Sequence, residues 1–385
     1  MTAQIKNLKK VANRILEAVK NKEKVILYGD ADPDGVASVI ILKETLDALG
    51  SPPIQIYFPD REKEGYGITE VALKILAKKA PALLITLDCG IGNVREVEIA
   101  KKIGFEVIII DHHKMLPEIP KASIICDPKQ KGDKYPFKEL ATAGISYKLS
   151  KILFSSVGKS YRLEKFLELV AIATLADQMP LLQDNEKLVK EGILALNFTE
   201  RKGLKSLMEE TQFGSSSIKE VRRKILPPLN AALATGSLNE AYLLLIEKDP
   251  KKAKEGAKKL IEKAELRREE IKSIFWELEE RILKRGKASQ RIIFEGDESW
   301  PLIFLGSVAS RICKKYKKPV FLFKKGKEES PGAVRTPKGL DGVKMMINCR
   351  QLLITYGGHP LAAGFRIKNE NLQSFKECLF KYFKR

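Results

Sequence analysis

The sequence predicts an α/β protein: a domain built on a mainly parallel sheet, joined by a long helix to a smaller α/β domain. Three observations carry that expectation. Between Lys24 and Pro128 short, wholly apolar runs alternate with helical patterns, as strands do when crossover helices cover both faces of their sheet. From Asp249 an apolar stripe keeps helical spacing to about Lys284. After Arg291 the pattern returns to strands and helices.

In chain order, "KVILYGD", "PIQIYF", "ALLITLD", "FEVIIIDHH" and "ASIICD" are the expected strands. "GVASVIILKETLDALG", "TEVALKILAKKA" and "VREVEIAKKIG" are the helices between them. The opening "MTAQIKNLKKVANRILEAVKNKEK" reads as an amphipathic helix without the apolar core of a signal peptide. Residues from about 140 to 247 read as mostly helical. Asp249-Pro250 then marks a helix start, with Asp as N-cap and Pro in the first turn. Ala253, Ala257, Leu260, Ile261, Ala264, Ile271, Ile274, Phe275, Leu278 and Ile282 keep its register. So long a helix suits a connection between lobes. "RIIFEG", "GSVASRICKKY", "KPVFLFKKG" and "TYGGHPLAAGF" build the last part. The expected division is 1–195, 196–286 and 287–385.

The bulk numbers bound the class. A chain of 385 residues, 44% hydrophobic and 31% charged, is a globular protein with room for two or three domains. Its formal charge of +20 suits a polyanionic partner such as nucleic acid, although lysine-rich composition alone gives the same surplus. Cys89, Cys126, Cys313, Cys349 and Cys378 form no CxxC pair. That odd, scattered set argues for a reducing compartment and against a disulfide frame or a zinc site. No apolar run approaches a membrane span, so the expected location is cytoplasmic.

The chemistry concentrates at strand ends. In "YGDADPDGVAS", Asp30, Asp32 and Asp34 stand at alternate positions after an apolar strand. Spaced by two they project to one side of an extended segment and repel each other unless something neutralises them. Asp88 closes "LLITLD", Asp111 with His112 and His113 closes "VIIIDHH", and Asp177 ends the apolar run "ELVAIATLAD". One acid after one strand is an ordinary helix cap. Four such places in one domain are not. The chain has three histidines, two of them in this set and the third, His359, in "GGHPLAAG". Carboxylates with imidazoles suit Mn²⁺ or Mg²⁺. Two such ions about 3.5–4 Å apart would activate a water and clamp a phosphate.

"DADPDG", "LDCGI", "DHH" and "ATLADQMPL" resemble the motifs of the DHH phosphoesterases, and "GGHPLAAGF" resembles the glycine-rich motif of their associated C-terminal domain. "YFPDREKEGYGIT", "DPKQKGDKYPFKELATAG", "LPPLNAA" and "GSVASR" are similar in order and spacing to the RecJ branch, single-strand-specific 5′→3′ DNA exonucleases. The likeness runs from about residue 20 to the C-terminus. It implies a mainly parallel-sheet DHH domain and a smaller DHH-associated domain. It implies two Mn²⁺ or Mg²⁺ ions held by Asp30, Asp32, Asp34, Asp88, His112 and Asp177, with Asp88 as bridge. Catalytic roles fall to Asp88, Asp111, His112 and His113. Substrate contacts fall to Arg61 on a 5′-phosphate, His113 on the scissile phosphate, Asn230, Arg311, Arg335, Gly357, Gly358 and His359. The glycines would admit a phosphate close to backbone amides, although "GGHPLAAG" also reads as a tight strand–helix turn. The implied partner is single-stranded nucleic acid, DNA rather than RNA, with a single-strand-binding protein as a further candidate and no membrane.

The departures from the pattern all touch substrate grip. Tyr28 stands where the wider family often has His, which the RecJ branch tolerates. Pro228 and Ala234 stand where relatives carry arginines beside "LNAA", Pro301 where they carry His, and Ala333 where they carry Ser. Each lost charge-assisted contact costs on the order of 1.5–3 kcal/mol. The chain ends soon after the glycine motif, without the OB-fold of full-length bacterial relatives. Two other readings follow: a DHH enzyme acting on oligoribonucleotides, cyclic dinucleotides or 3′-phosphoadenosine nucleotides, and a scaffold that keeps the fold without the chemistry. The basic surplus and long helix argue against the first, and the complete acidic set argues against the second.

Overall fold

The computed structural model describes residues 4–158, 163–235, 237–284 and 290–382. The chain forms two compact units, Met1–Ala264 and Glu265–Arg385. The 286/287 boundary expected from the sequence lies outside the described residues.

In the first unit α1 (Leu8–Lys20) buries Leu8, Val11, Ala12, Ile15 and Ala18, one face at helical spacing. All five expected strands form: β1 (Val25–Gly29), β2 (Gln55–Tyr57), β3 (Ala82–Leu87), β4 (Phe105–Ile110) and β5 (Ile124–Cys126). They pair in the order β2-β1-β3-β4-β5, every pair parallel. The crossovers run through α2 (Pro33–Leu49), α3 (Glu70–Leu76) and α4 (Val94–Ile103). α2 buries residues on nearly every side, because it is covered in turn by α5 (Thr142–Ser156) and α6 (Leu167–Ala176).

The helical stretch continues through α7 (Gln183–Leu196), α8 (Lys202–Glu210) and α9 (Ile218–Glu220). A π-helical turn at Val221–Ile225 leads into α10 (Leu226–Ala231). A short hairpin, β6 (Ala234–Thr235) with β7 (Leu238–Asn239), interrupts the helices before α11 (Glu240–Ile246). α12 (Pro250–Lys284) is one helix of 35 residues. Asp249 caps it as expected, its Oδ1 accepting the amides of Lys251 at 2.8 Å and Lys252 at 3.1 Å.

The second unit holds β8 (Ile293–Asp297), α13 (Leu302–Tyr316), β9 (Val320–Lys324), β10 (Glu329–Arg335), α14 (Gly342–Ile347), β11 (Leu353–His359), β12 (Ala362–Lys368) and α15 (Leu372–Lys381). Its sheet runs β11-β12-β10-β9-β8, antiparallel except for the β8–β9 pair. One face packs Ile293, Val320 and Leu322 on Trp300, on α13 and on the end of α12 through Ile271, Ile274, Leu278 and Ile282. On the other side Phe294, Phe321, Phe365 and Phe375 form an aromatic cluster.

Two sequence expectations change here. "GGHPLAAG" is a strand–strand hairpin rather than a strand–helix turn, since Gly357, Gly358 and His359 pair with Gly364, Ala363 and Ala362. Cys349 and Cys378 are joined in a disulfide with Cα atoms 6.0 Å apart, against the expectation of none. The pair brings α15 back to the end of α14 across 29 residues, a tertiary contact that local cysteine spacing does not reveal. The bond also removes the cysteine argument for a reducing compartment. Cys89, Cys126 and Cys313 are free and buried. Among the described residues no helix is long and apolar enough to cross a membrane.

Candidate metal centre

The register of the first sheet builds the site. Gly29 pairs with Leu87, Leu87 with Ile110, and Ile110 with Cys126. The next residue on each of these four strands is an aspartate: Asp30, Asp88, Asp111 and Asp127. The amides of Asp30, Asp88 and Asp111 extend the ladder onto the carbonyls of Leu87, Ile110 and Cys126 at 3.1, 3.0 and 3.1 Å. Four buried carboxylates therefore stand in a row at the carboxyl edge of a parallel sheet, where such sheets bind ligands.

The loop after β1 adds two more. Asp32 caps α2, its Oδ1 accepting the amides of Asp34 at 3.0 Å and Gly35 at 3.1 Å. Gly35 is required: a Cβ there would lie 2.3 Å from the Asp30 carbonyl oxygen. Asp34 is fully buried and accepts the amides of Thr142 and Ala143, both at 2.7 Å. These open α5, whose N-terminal dipole favours an anion. The Thr142 hydroxyl donates to Asp88 Oδ1 at 3.1 Å. Asp88 has φ +65°, a left-handed conformation that a non-glycine residue holds only when its surroundings enforce it. Asn239 closes the loop from outside, donating to the Ala31 carbonyl at 2.9 Å.

His112 joins the elements. Its Nε2 lies 3.2 Å from Asp88 Oδ1, 3.2 Å from Asp177 Oδ2 and 3.6 Å from Asp34 Oδ2. Asp111 serves the adjacent histidine. Its Oδ1 accepts the amides of His112 and His113 at 2.8 and 3.2 Å and meets His113 Nδ1 at 2.7 Å, while Oδ2 accepts the Ile91 amide at 3.1 Å. His113 Nε2 then meets the Tyr66 hydroxyl at 3.1 Å. Lys129 donates to the His112 carbonyl at 2.7 Å.

Arg61 is the cation on the loop acids. Arg61 donates from Nε to Asp30 Oδ1 at 2.8 Å and from Nη2 to Asp30 Oδ2 and, at 3.0 Å, to Asp32 Oδ2. It belongs to the cluster and is not a solvated loop charge. Burial works against the charged form of Asp32, yet Arg61 and the Gly35 amide hold its carboxyl below the ordinary value. Burial likewise opposes Asp111, but His113 holds it at about 2. Asp34 and Asp88 go the other way, although the Thr142 and Ala143 amides favour the charged form of Asp34. Burial, then the mutual repulsion of Asp34, Asp88, Asp32 and Asp177, pushes both carboxyls well up. Burial and Asp111 push Asp127 up to about 8.

A cation fits this arrangement. Asp88 Oδ2 is buried and has no hydrogen-bond partner among the described residues. Among the described residues of the first unit, three sets of donor atoms, each within 4.8 Å of one another, could hold a metal ion: Asp34, Asp88, His112 and Asp177; Asp30, Asp32 and Asp88; and Asp88, Asp111 and His113. Asp88 is common to all three. Oxygen-rich sets with one imidazole are the chemistry of Mg²⁺ and Mn²⁺.

The remaining expected residues are distributed more widely. Asn230 is exposed near the end of α10. In the second unit Arg335 closes β10, donating to Ser310 Oγ at 3.0 Å and to the Val334 carbonyl at 2.8 Å. No carboxylate pairs with it among the described residues. Arg311 is exposed on α13. His359 ends β11, and its hairpin is pinned where the Pro360 carbonyl accepts the Gly342 amide and the Thr336 hydroxyl, both at 2.8 Å. Gly358 has φ +121° and a Cβ there would lie 2.7 Å from the Ala362 carbonyl oxygen, whereas a Cβ on Gly357 meets nothing within 4 Å.

Sequence reasoning gave no role to four residues: Thr142, Tyr66, Asn239 and Asp127. Asp127 was findable, since it closes "ASIICD" as Asp88 closes "ALLITLD". The other three act through tertiary contacts that no local pattern announces.

Fold and site together define a DHH-type protein, a parallel-sheet unit with an edge-on carboxylate–histidine cluster followed by a smaller mixed-sheet unit. The chain belongs to the DHH family: the DHH family N-terminal domain matches residues 24–174 and the DHHA1 domain residues 289–385. It is 33% identical over 380 residues to the single-stranded-DNA-specific exonuclease RecJ of Bacillus subtilis, covering 98% of this chain and 48% of that protein. It is 31% identical to the RecJ of Thermus thermophilus, covering 98% of this chain and 54% of that one. The chain thus spans about half the length of these relatives. The crystal structure of an exonuclease RecJ bound to manganese superposes with a TM-score of 0.79 at 29% identity, covering 99% of this chain and 95% of that one. That of Thermus thermophilus RecJ with Mn²⁺ gives 0.82 at 27% identity, covering 99% and 55%.

Proposed function

We propose that this chain is a Mn²⁺- or Mg²⁺-dependent exonuclease that hydrolyses single-stranded DNA from the 5′ end. The observation that carries the reading is the convergence of three donor sets on Asp88 at the end of the central strand row. Asp34, Asp88, His112 and Asp177 would hold one ion, and Asp30, Asp32 and Asp88 the other. When bound, such ions lower the pKa of a water and neutralise the phosphodiester.

The protein's own groups do the rest. Asp111, saturated by four donors, holds His113, which would face the scissile phosphate. Thr142 and the α5 amides fix Asp88 and Asp34. Arg61, bound to Asp30 and Asp32, would meet a 5′-phosphate. Arg311, Arg335, Gly357, Gly358, His359 and Asn230 would grip the strand. Residues 1–195 are then the catalytic part, 196–286 the connection and 287–385 the substrate-binding part. A single-strand-binding protein is a candidate partner.

A time course with Mn²⁺ tests this, using a 5′-labelled long single strand, its duplex, a labelled dinucleotide, and the Asp88→Ala variant as control. The proposal expects stepwise loss of the long single strand alone, abolished in the variant. Turnover of the dinucleotide alone would instead identify a small-substrate phosphodiesterase. No turnover, or turnover unchanged in the variant, sinks both.

A further inference from the structure

We propose that the face shared by α12 and α13 in the second unit is a surface that binds single-stranded nucleic acid, stacking a base on Trp276 and holding phosphates with the cations around it. A groove of about 550 Å³ lies between the two helices. α12 contributes Arg268, Lys272, Phe275 and Trp276 to it, positions that recur at one and two helical turns and so share a face. α13 contributes Arg311, Lys314 and Lys315 in the same way. Five cations thus face one another across the groove, with Glu269 as the acid in its lining.

These charges are available. Arg268, Arg311 and Lys314 pair with no acid among the described residues. Lys272 approaches Glu269 only to 3.9 Å, with both side chains mostly exposed, a contact of little energy. Lys315 alone is engaged, with Glu279. A protein that wanted only solubility would place counter-charges among such cations.

Trp276 supplies the second half of the argument. The chain has two tryptophans. Trp300 is 1% exposed, donates to Glu277 Oε2 at 3.2 Å and lies under Arg281. Trp276 is 58% exposed. The half-buried Phe275 ring packs edge-on against it at 5.3 Å and 78°. An indole left in water amid unpaired cations fits a ligand that carries both anions and flat π faces. Single strands offer both, and stacking on aromatics within a basic groove is how they bind without sequence preference. A duplex hides its base faces. An acidic peptide satisfies the cations but leaves the indole in water.

The test uses the full chain carrying Asp88→Ala, in EDTA, so that nothing is hydrolysed. Because Trp300 is buried, quenching of tryptophan fluorescence by an oligothymidylate reports Trp276. The proposal expects saturable quenching. Binding of a labelled oligothymidylate by anisotropy should weaken on the order of tenfold in Trp276→Ala and recover in Trp276→Phe. Lys272→Glu with Lys314→Glu should flatten the dependence of log affinity on log salt by about 1.4, two phosphates' worth. Absence of quenching, or equal anisotropy for the chain with and without Trp276, overturns the proposal. So does a polyglutamate peptide that competes as well as the oligonucleotide, which would mark the groove as a protein-docking site. The inference shares its substrate class with the proposed exonuclease but fails separately. A chain that degrades single strands without quenching loses only this surface, and one that quenches without hydrolysis in its Asp88 form loses only the catalytic reading.

Discussion

The acidic row of the first unit and the basic α12–α13 face of the second handle charge in opposite ways. The acids are buried and held by donors: two helix amides on Asp34, a hydroxyl on Asp88, four contacts on Asp111. The cations are exposed, and Arg268, Arg311 and Lys314 touch no acid among the described residues. Chemistry at a phosphate needs donor atoms held within a fraction of an ångström, so the fold spends amides and even a left-handed backbone on them. The proposed grip on a strand of any sequence would need a field and a stacking face, which exposed side chains can provide.

The largest expected effect separates position from stability. Asp88→Ala should lower Mn²⁺-dependent turnover on the order of a thousandfold or more, because it removes the group shared by all three donor sets. The metal-free fold should lose little, since the substitution also removes a repelled, buried acid. Turnover assays beside thermal melts decide it, and a collapsed fold would break the distinction.

Glycines give the next comparison. Gly35→Ala should destabilise the chain by about 2–3 kcal/mol, because its Cβ meets backbone at 2.3 Å. Gly357→Ala meets nothing within 4 Å and should change stability by less than about 0.5 kcal/mol. Denaturant melts of both variants measure the contrast. On the basic side, Arg335→Ala should raise KM for single-stranded DNA about tenfold and leave kcat in place, as expected for a lost charge-assisted contact. A matching fall in kcat would move Arg335 into the chemistry.

The smallest effect is electrostatic. Burial opposes the Asp297 carboxylate, but Ser299 and Arg281 hold its carboxyl at about 2, below the ordinary 3.8. A depressed carboxyl stabilises the fold above its ordinary value and loses that contribution as pH falls toward about 2. Asp297→Asn should therefore melt lower than the parent chain near neutrality and converge with it in acid. Parallel curves across that range would refute the assignment.

Much of this was legible in the sequence. The five strands read as apolar runs because a parallel sheet covered on both faces leaves no polar alternation, and Asp249-Pro250 announced α12 through its cap. The acids Asp30, Asp32, Asp34, Asp88 and Asp111 were visible because each follows such a run or stands one turn beyond it. What pattern could not supply was lateral register. Only the pairing of Leu87 with Ile110 and Ile110 with Cys126 sets Asp127 level with the others. Only the approach of α5 gives Asp34 its amides and Asp88 its hydroxyl. The Cys349–Cys378 bond and the hairpin at His359 were missed for the same reason, since both are settled by partners distant in sequence or by strand pairing.

In the proposed function Asp88 ties two cation sites into one centre. Equilibrium dialysis with Mn²⁺, counting ions bound per chain, tests it most directly. Two ions should bind the parent chain, and both tight sites should be lost in Asp88→Ala. One ion or none in the parent, or an Asp88→Ala chain that still holds two, would contradict it.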